Sequence, residues 1–179
     1  MLYFAFGSNM LTTRLARRCP SARVVARAFA PGYRAAFDKL SEDTSGKATL
    51  VKCDEPPFAV GVVYELSDDD LGDLDGFEGS GYYRQDGLAV TCLDTERTLR
   101  AVSYFANKEV QGLRPYDWYL AMVLAGLAEN GIGHEHARRL RQVPFDTDPD
   151  TARRTRQNAL QDLATAGWPD YRGILVSDA

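Results

Sequence analysis

The chain has 179 residues, 45 % of them apolar, a formal charge of −4 and a pI near 5.2. That length and apolar content suit one domain with a sizeable core and exclude a largely disordered chain. The acidic balance argues against a nucleic-acid binder, which would ordinarily be basic.

Leu2 to Phe6 is a short aromatic, apolar run of strand length. Gly7-Ser8-Asn9 breaks it, and from Met10 the apolar residues Met10, Leu11 and Leu15 fall at helical spacing until Pro20. Ser8 or Asn9 would cap that helix. A strand, a tight polar turn and a helix aim several backbone N–H groups at one point, and Gly7 lets a ligand approach the main chain. A carboxylate or a developing oxyanion would sit there. The same three residues are also ordinary turn chemistry.

Arg23 to Phe29 and Tyr33 to Phe37 read as strands around the Pro31-Gly32 turn, and Leu40 to Gly46 as a polar surface loop. Lys47 to Cys53 and Ala59 to Leu66 read as strands around Glu55-Pro56-Pro57, the second nearly all apolar and therefore buried. Ser67-Asp68-Asp69-Asp70 is a helix start: Ser67 caps, Asp70 stands at capping-box spacing, and the acids suit the positive helix end. Leu71, Leu74 and Phe77 mark its buried face, and Gly79-Ser80-Gly81 ends it. Tyr83 to Leu93 and Thr98 to Ala106 form a hairpin.

Pro115 opens a long helix through Glu129, with Tyr119, Met122, Val123 and Leu127 on one stripe and Asn130-Gly131 as the stop. That stripe would serve a core or a homodimer interface equally well. A short helix from His134 to Gln142, a linker from Pro144 to Pro149 and a polar helix from Thr151 to Ala166 follow. The tail from Trp168 is irregular, with Gly173 to Val176 reading as a short strand. Strands followed by helices predict an α+β domain with a closed or strongly curved sheet rather than a doubly wound fold.

Charge is unevenly placed. Met1 to Phe37 holds six arginines and no acid, whereas Asp38 to Glu78 holds twelve acids and three lysines. This is either an anion site near the first helix or, the reading we favour on sequence, two segments that lie together and neutralise each other. Cys19, Cys53 and Cys92 are odd in number and lack CxxC spacing, and the two histidines, His134 and His136, do not suit a zinc site. The expectation is a reduced, cytoplasmic protein without a disulfide framework, signal segment or membrane span.

Glu78 is the candidate for proton transfer. It lies at the end of the acidic helix, beside Phe77 and just before Tyr82 and Tyr83. A helix C-terminus and an apolar setting both disfavour the charged carboxylate, which suits a general acid/base. On spacing alone it is also simply one surface acid among many.

Three segments carry a resemblance. Tyr3-Phe4-Ala5-Phe6-Gly7-Ser8-Asn9-Met10 closely resembles the opening signature of the γ-glutamylcyclotransferases, a family that includes the butirosin-pathway enzyme and the AIG2-like proteins. Leu74, Asp75, Glu78, Gly79 and Tyr82-Tyr83 match the segment around that family's catalytic glutamate. Tyr119 to Gly131 is similar to its helix with a substrate-contacting tyrosine, and Tyr104 matches a further tyrosine less specifically. The resemblance covers roughly residues 2 to 145. Phe6 departs from it, standing where the family usually has tyrosine, and Asn9 stands where the glutathione-specific branch usually has leucine.

The resemblance implies an α+β fold with a small mixed β-barrel of about six to seven strands flanked by helices. It implies a catalytic domain over residues 1–145; from Thr151 onward there is no family counterpart, and 146–179 is expected as a C-terminal helical extension packed on the same domain. It implies cleavage of a γ-glutamyl amide by cyclisation to 5-oxoproline, with Glu78 as general acid/base and no metal or organic cofactor. Tyr3, Phe4, Ala5, Phe6, Gly7, Ser8, Asn9, Tyr82, Tyr104 and Tyr119 would bind the small-molecule substrate. The competing readings are a silent binding module of the same fold, which Phe6 would favour, and a hydrolase built on Ser8, for which no G-x-S-x-G elbow is present.

Overall fold

The computed structural model describes residues 1–176. β1 (Leu2–Ala5) leads into a single 3-10 turn over Ser8–Met10, and α1 (Thr12–Arg18) follows. The remaining strands are β2 (Arg23–Ala30), β3 (Tyr33–Leu40), β4 (Gly46–Lys52), β5 (Ala59–Glu65), β6 (Tyr82–Cys92) and β7 (Thr98–Ala106). The helices α2 (Asp68–Glu78), α3 (Asp117–Glu129), α4 (His134–Arg141), α5 (Arg154–Thr165) and α6 (Tyr171–Val176) complete the chain.

The expected barrel is present with a smaller strand count. Five strands close it in the order β1-β5-β2-β6-β7, and the parallel contact of Tyr3 with Val102 joins β7 back to β1. β3 and β4 form a separate two-stranded sheet, tied to the barrel by the Ala106 N–H donating to the buried Thr49 Oγ1 at 2.9 Å. Local alternation marks a strand but does not say which sheet it joins, so seven strands were legible and their partition was not.

Three local readings are corrected. Neither Ser8 nor Asn9 caps α1. The N-cap is Leu11, without a side-chain hydrogen bond, because Ser8 and Asn9 are spent in the 3-10 turn. Gly173 to Val176 is not a strand but part of α6, whose Ile174 and Leu175 are buried in the main core. The arginines of the first segment do not simply neutralise the acidic one. Arg17 pairs with Asp162 and Arg27 with Asp94, and among the described residues only Arg18 reaches an acid of the 38–78 segment. Ser67 does cap α2, accepting from the Asp70 N–H at 3.2 Å.

α3 decides where everything else lies. Every residue from Asp117 to Leu127 is buried, the signature of a helix apolar all round that must be covered on every side. The Ser8–Met10 turn, α5 and α6 pack on it, so its apolar stripe is core and not a free face. Its buried acid, Asp117, accepts from Tyr171 Oη at 3.0 Å and from the Trp118 N–H at 2.9 Å. No described helix is long and apolar enough to cross a membrane.

The link to α5 is fastened by Asp148. It accepts from Trp118 Nε1 at 2.9 Å and from Arg153 Nε at 2.9 Å. Burial alone would raise its carboxyl; the bonds from Arg153, Trp118 and the Asp150 N–H overcome this and hold it below its ordinary range. Its contribution is therefore present above the unfolded value of about pH 4 and is lost as pH falls through the folded value. Asp148→Ala should cost about 2 kcal/mol at neutral pH, since it leaves the indole N–H unpaired. Urea unfolding should show the gap to wild type closing in acid.

Candidate active site

The site is built where β1, the end of α2, β4 and the start of α3 converge. β1 alternates, so Tyr3 faces one way and Phe4 the other. The 3-10 turn then carries Asn9 back over Tyr3. Asn9 Nδ2 donates to Tyr3 Oη at 3.0 Å and to Glu78 Oε1 at 3.0 Å. Both amide hydrogens are thus used, and the carboxylate is oriented from one side.

Arg18 orients it from the other. As the last residue of α1 it suits the negative helix end. Its Nη1 donates to Glu78 Oε1 at 3.3 Å and to Asn9 Oδ1 at 3.2 Å, and its guanidinium lies 5.2 Å from the centre of the Phe77 ring. Glu78 closes α2, and Gly79 with φ +65° turns the chain away immediately afterwards, which only glycine adopts without strain. The Glu78 and Arg18 side chains each keep 15 % of their accessible surface. The carboxylate is therefore reachable from the cavity but mostly shielded from water. Arg18 supplies a countercharge that reading the helix end alone does not include.

Four tyrosines surround the carboxylate. Tyr82 Oη donates to the Ala48 carbonyl at 2.9 Å, while Tyr119 Oη accepts from the Ala48 N–H at 3.1 Å. One residue of β4 thus positions two phenols, through its own N–H and its own carbonyl. Tyr104 Oη donates to Asp75 Oδ1 at 2.6 Å, and Asp75 is held in turn by Arg84 at 2.8 Å. The Tyr3 and Tyr104 rings meet edge to face at 5.8 Å. Burial raises all four hydroxyls, and the nearby carboxylate of Glu78 adds to this in each. They stay protonated and serve as neutral donors.

Together Tyr3, Phe6, Gly7, Ser8, Asn9, Tyr82, Tyr104, Tyr119 and Glu78 line one slot of about 40 Å³, with Ala48 as its floor. Gly7 is needed there: a Cβ would lie 3.0 Å from Ala48 Cβ and 3.3 Å from Tyr119 Oη. The N–H groups of Ser8 and Asn9 precede the first bonded amide of the turn, that of Met10 on the Gly7 carbonyl. Phe4 and Ala5 are not brought into the lining. Phe4 is wholly buried on the opposite face of β1, against Phe6, and Ala5 is covered in the core. Tyr83 lies outside, stacked on Phe105. Among the described residues the slot lining contains no histidine, so Ser8 has no imidazole base beside it there.

Sequence reasoning missed Arg18 and Ala48. The cluster of acid-free arginines was a signal for the first; nothing in the sequence pointed to the second, because its backbone does the positioning.

A closed five-strand barrel with one carboxylate pinned at the wall of a tyrosine-lined slot defines the class of small-molecule site this chain presents. The AIG2-like family model matches residues 59–140. The chain is 30 % identical to the bovine γ-glutamylcyclotransferase over 158 residues, 79 % of this chain and 78 % of the relative, and equally to the human protein of that name. A solved γ-glutamyl cyclotransferase superposes with a TM-score of 0.79 at 23 % identity, over 90 % of this chain and 98 % of that one, which establishes the fold. The chain belongs to the γ-glutamylcyclotransferase family and is a cyclotransferase enzyme.

Proposed function

We propose that the enzyme cleaves γ-glutamyl amides by intramolecular cyclisation, releasing 5-oxoproline and a free amine, with Glu78 carrying the proton. The observation that supports this most is the placement of the Glu78 carboxylate, held by Asn9 and Arg18 at one wall of the tyrosine-lined slot.

The reaction needs the substrate's α-amine as nucleophile. As its nitrogen bonds to the γ-carbonyl carbon, it loses a proton to Glu78. The carbonyl oxygen becomes an oxyanion, for which the turn amides of Ser8 and Asn9 and the phenol of Tyr119, which accepts from Ala48 and keeps its own hydrogen to donate, are preorganised donors. Collapse breaks the original amide C–N bond, and Glu78 returns its proton to the leaving amine. Atoms and charge balance without a co-reactant. The small slot also does the folding: the glutamyl chain must curl for amine and carbonyl to meet, and orientation of that kind is worth several orders of magnitude.

The test is release of 5-oxoproline from a panel of γ-glutamyl-alanine, γ-glutamyl-lysine, glutathione and γ-glutamyl-ethylamide. Turnover of at least one is expected. Tight binding of the panel without any 5-oxoproline would support a silent binding module instead.

A further inference from the structure

We propose that Arg14 and Lys47 form a carboxylate-recognition subsite for the amine part of the substrate, so that the preferred leaving group is an acidic amino acid or an acid-terminated peptide. This deepens the reading above and rests on it.

The slot is too small for a whole dipeptide. It opens into a cleft of about 790 Å³ that shares Ser8, Glu78, Tyr82 and Tyr119 with it. With the glutamyl group in the slot and the scissile bond at Glu78, the departing amine projects into that cleft. Among the described residues the cleft is lined by six cations (Arg14, Arg18, Lys39, Lys47, Arg153 and Arg154) against three acids, Glu42, Asp43 and Glu78.

Most of these cations are already engaged. Arg18 belongs to Glu78, Arg153 to Asp148, and Lys39 lies 4.9 Å from the centre of the Tyr82 ring. Arg14 is different. Its Nε is buried without a hydrogen-bond partner among the described residues. Its ion-pair contact is with Asp162 Oδ2 at 3.8 Å, and both oxygens of that acid are taken by Arg17 at 2.9 and 2.7 Å. A buried guanidinium with an idle donor is costly unless an anion completes it. Burial and the neighbouring Arg18 both disfavour its charge, a condition that an incoming carboxylate relieves.

Lys47 stands beside it. Its ammonium donates to Asp43 at 2.7 Å and to Ser45 Oγ at 2.6 Å, and lies 4.6 Å from the Trp118 ring centre and 4.8 Å from that of Tyr119. It is thus fixed against a side chain common to slot and cleft. Burial lowers it to about 8, and Arg14 and Lys39 add to the effect. A second carboxylate of the leaving group would lie among these cations, whereas a cationic amine would be repelled.

The experiment compares kcat/KM for γ-glutamyl-glutamate, γ-glutamyl-alanine and γ-glutamyl-ethylamide. Wild type should prefer them in that order. Arg14→Gln should lower the first two relative to the ethylamide by about ten- to a hundred-fold, the size of one charge-assisted hydrogen bond. Lys47→Gln should narrow the gap between the glutamate and alanine substrates, and carries the test alone if Arg14→Gln does not fold. Equal loss on all three substrates would assign Arg14 to the glutamyl α-carboxylate and overturn the subsite while leaving the reaction standing. A wild-type preference for the ethylamide would do the same. No 5-oxoproline from any of the three would take down the γ-glutamyl reading, and the subsite with it.

Discussion

Glu78→Gln should leave the protein folded and lower kcat for 5-oxoproline release by about 10²- to 10⁴-fold, the usual contribution of a positioned general acid/base. The amide keeps the shape of the carboxylate, and its oxygen can still accept from Asn9 Nδ2 and Arg18, the donors that now hold Glu78 Oε1. What it loses is the ability to take the proton of the attacking amine and return it to the leaving one. Substrate affinity should change little, because no step of binding requires proton transfer; calorimetry of γ-glutamyl-alanine with the variant would report this separately from rate. Replacing the Arg18 partner should cost about 1–2 kcal/mol of stability, visible as a lowered urea midpoint. That loss is too small to depopulate the native state and explain a thousand-fold fall in rate. A loss of less than tenfold would mean that another group carries the proton. The four phenols are poor substitutes, since burial among carboxylates keeps them protonated.

The same residues show what a sequence can and cannot reveal. Glu78 was legible because its determinants are local. Ser67 starts α2, the glycines after Glu78 end it, and the carboxylate is left at a helix terminus beside Tyr82. The strand, turn and helix of the first eighteen residues were legible for the same reason. Arg18 was not, because its partner is 60 residues away and only the packing of α1 beside α2 joins them. Ala48 was invisible in principle: its backbone N–H and carbonyl set Tyr119 and Tyr82, and every residue but proline carries both. Ile174 and Val176 are β-branched, which favours a strand reading. Burial of α6 against α3 overrides that preference. The acid-free arginine cluster did carry information. Its two readings were weighed as alternatives, whereas the structure divides the arginines between them: Arg17 and Arg27 serve ion pairs, and Arg14 and Arg18 face the cleft.

Gly126→Ala tests whether the site depends on α3 as closely as the packing implies. A methyl group at this position would lie 2.6 Å from Met10 Cβ and 2.9 Å from the Leu11 backbone nitrogen. These are backbone and first side-chain atoms, so no rotamer change can move them aside; the whole Ser8–Leu11 segment must shift. That segment is also held by Tyr64 Oη at 2.7 Å and Asn130 Nδ2 at 3.1 Å, both donating to the Met10 carbonyl. Alanine would gain about 1 kcal/mol in helix propensity over glycine. Overpacking of this kind costs typically 1–3 kcal/mol, and contacts this short call for the upper end, so a net loss of about 2 kcal/mol is expected in urea unfolding. The kinetic consequence should be larger than a stability change alone would give. Asn9 lies on the displaced turn, and through it Glu78 and Tyr3 lose their common anchor. A shift of a few tenths of an ångström should lower kcat by about tenfold, in keeping with the roughly hundredfold penalty for a full ångström. Gly72→Ala, in α2 where a Cβ would meet nothing within 4 Å, is the matched control and should be neutral or slightly stabilising. If both variants turn over like wild type, the turn is not held by α3, and the positioning of Glu78 must come from Arg18 and the helix end alone.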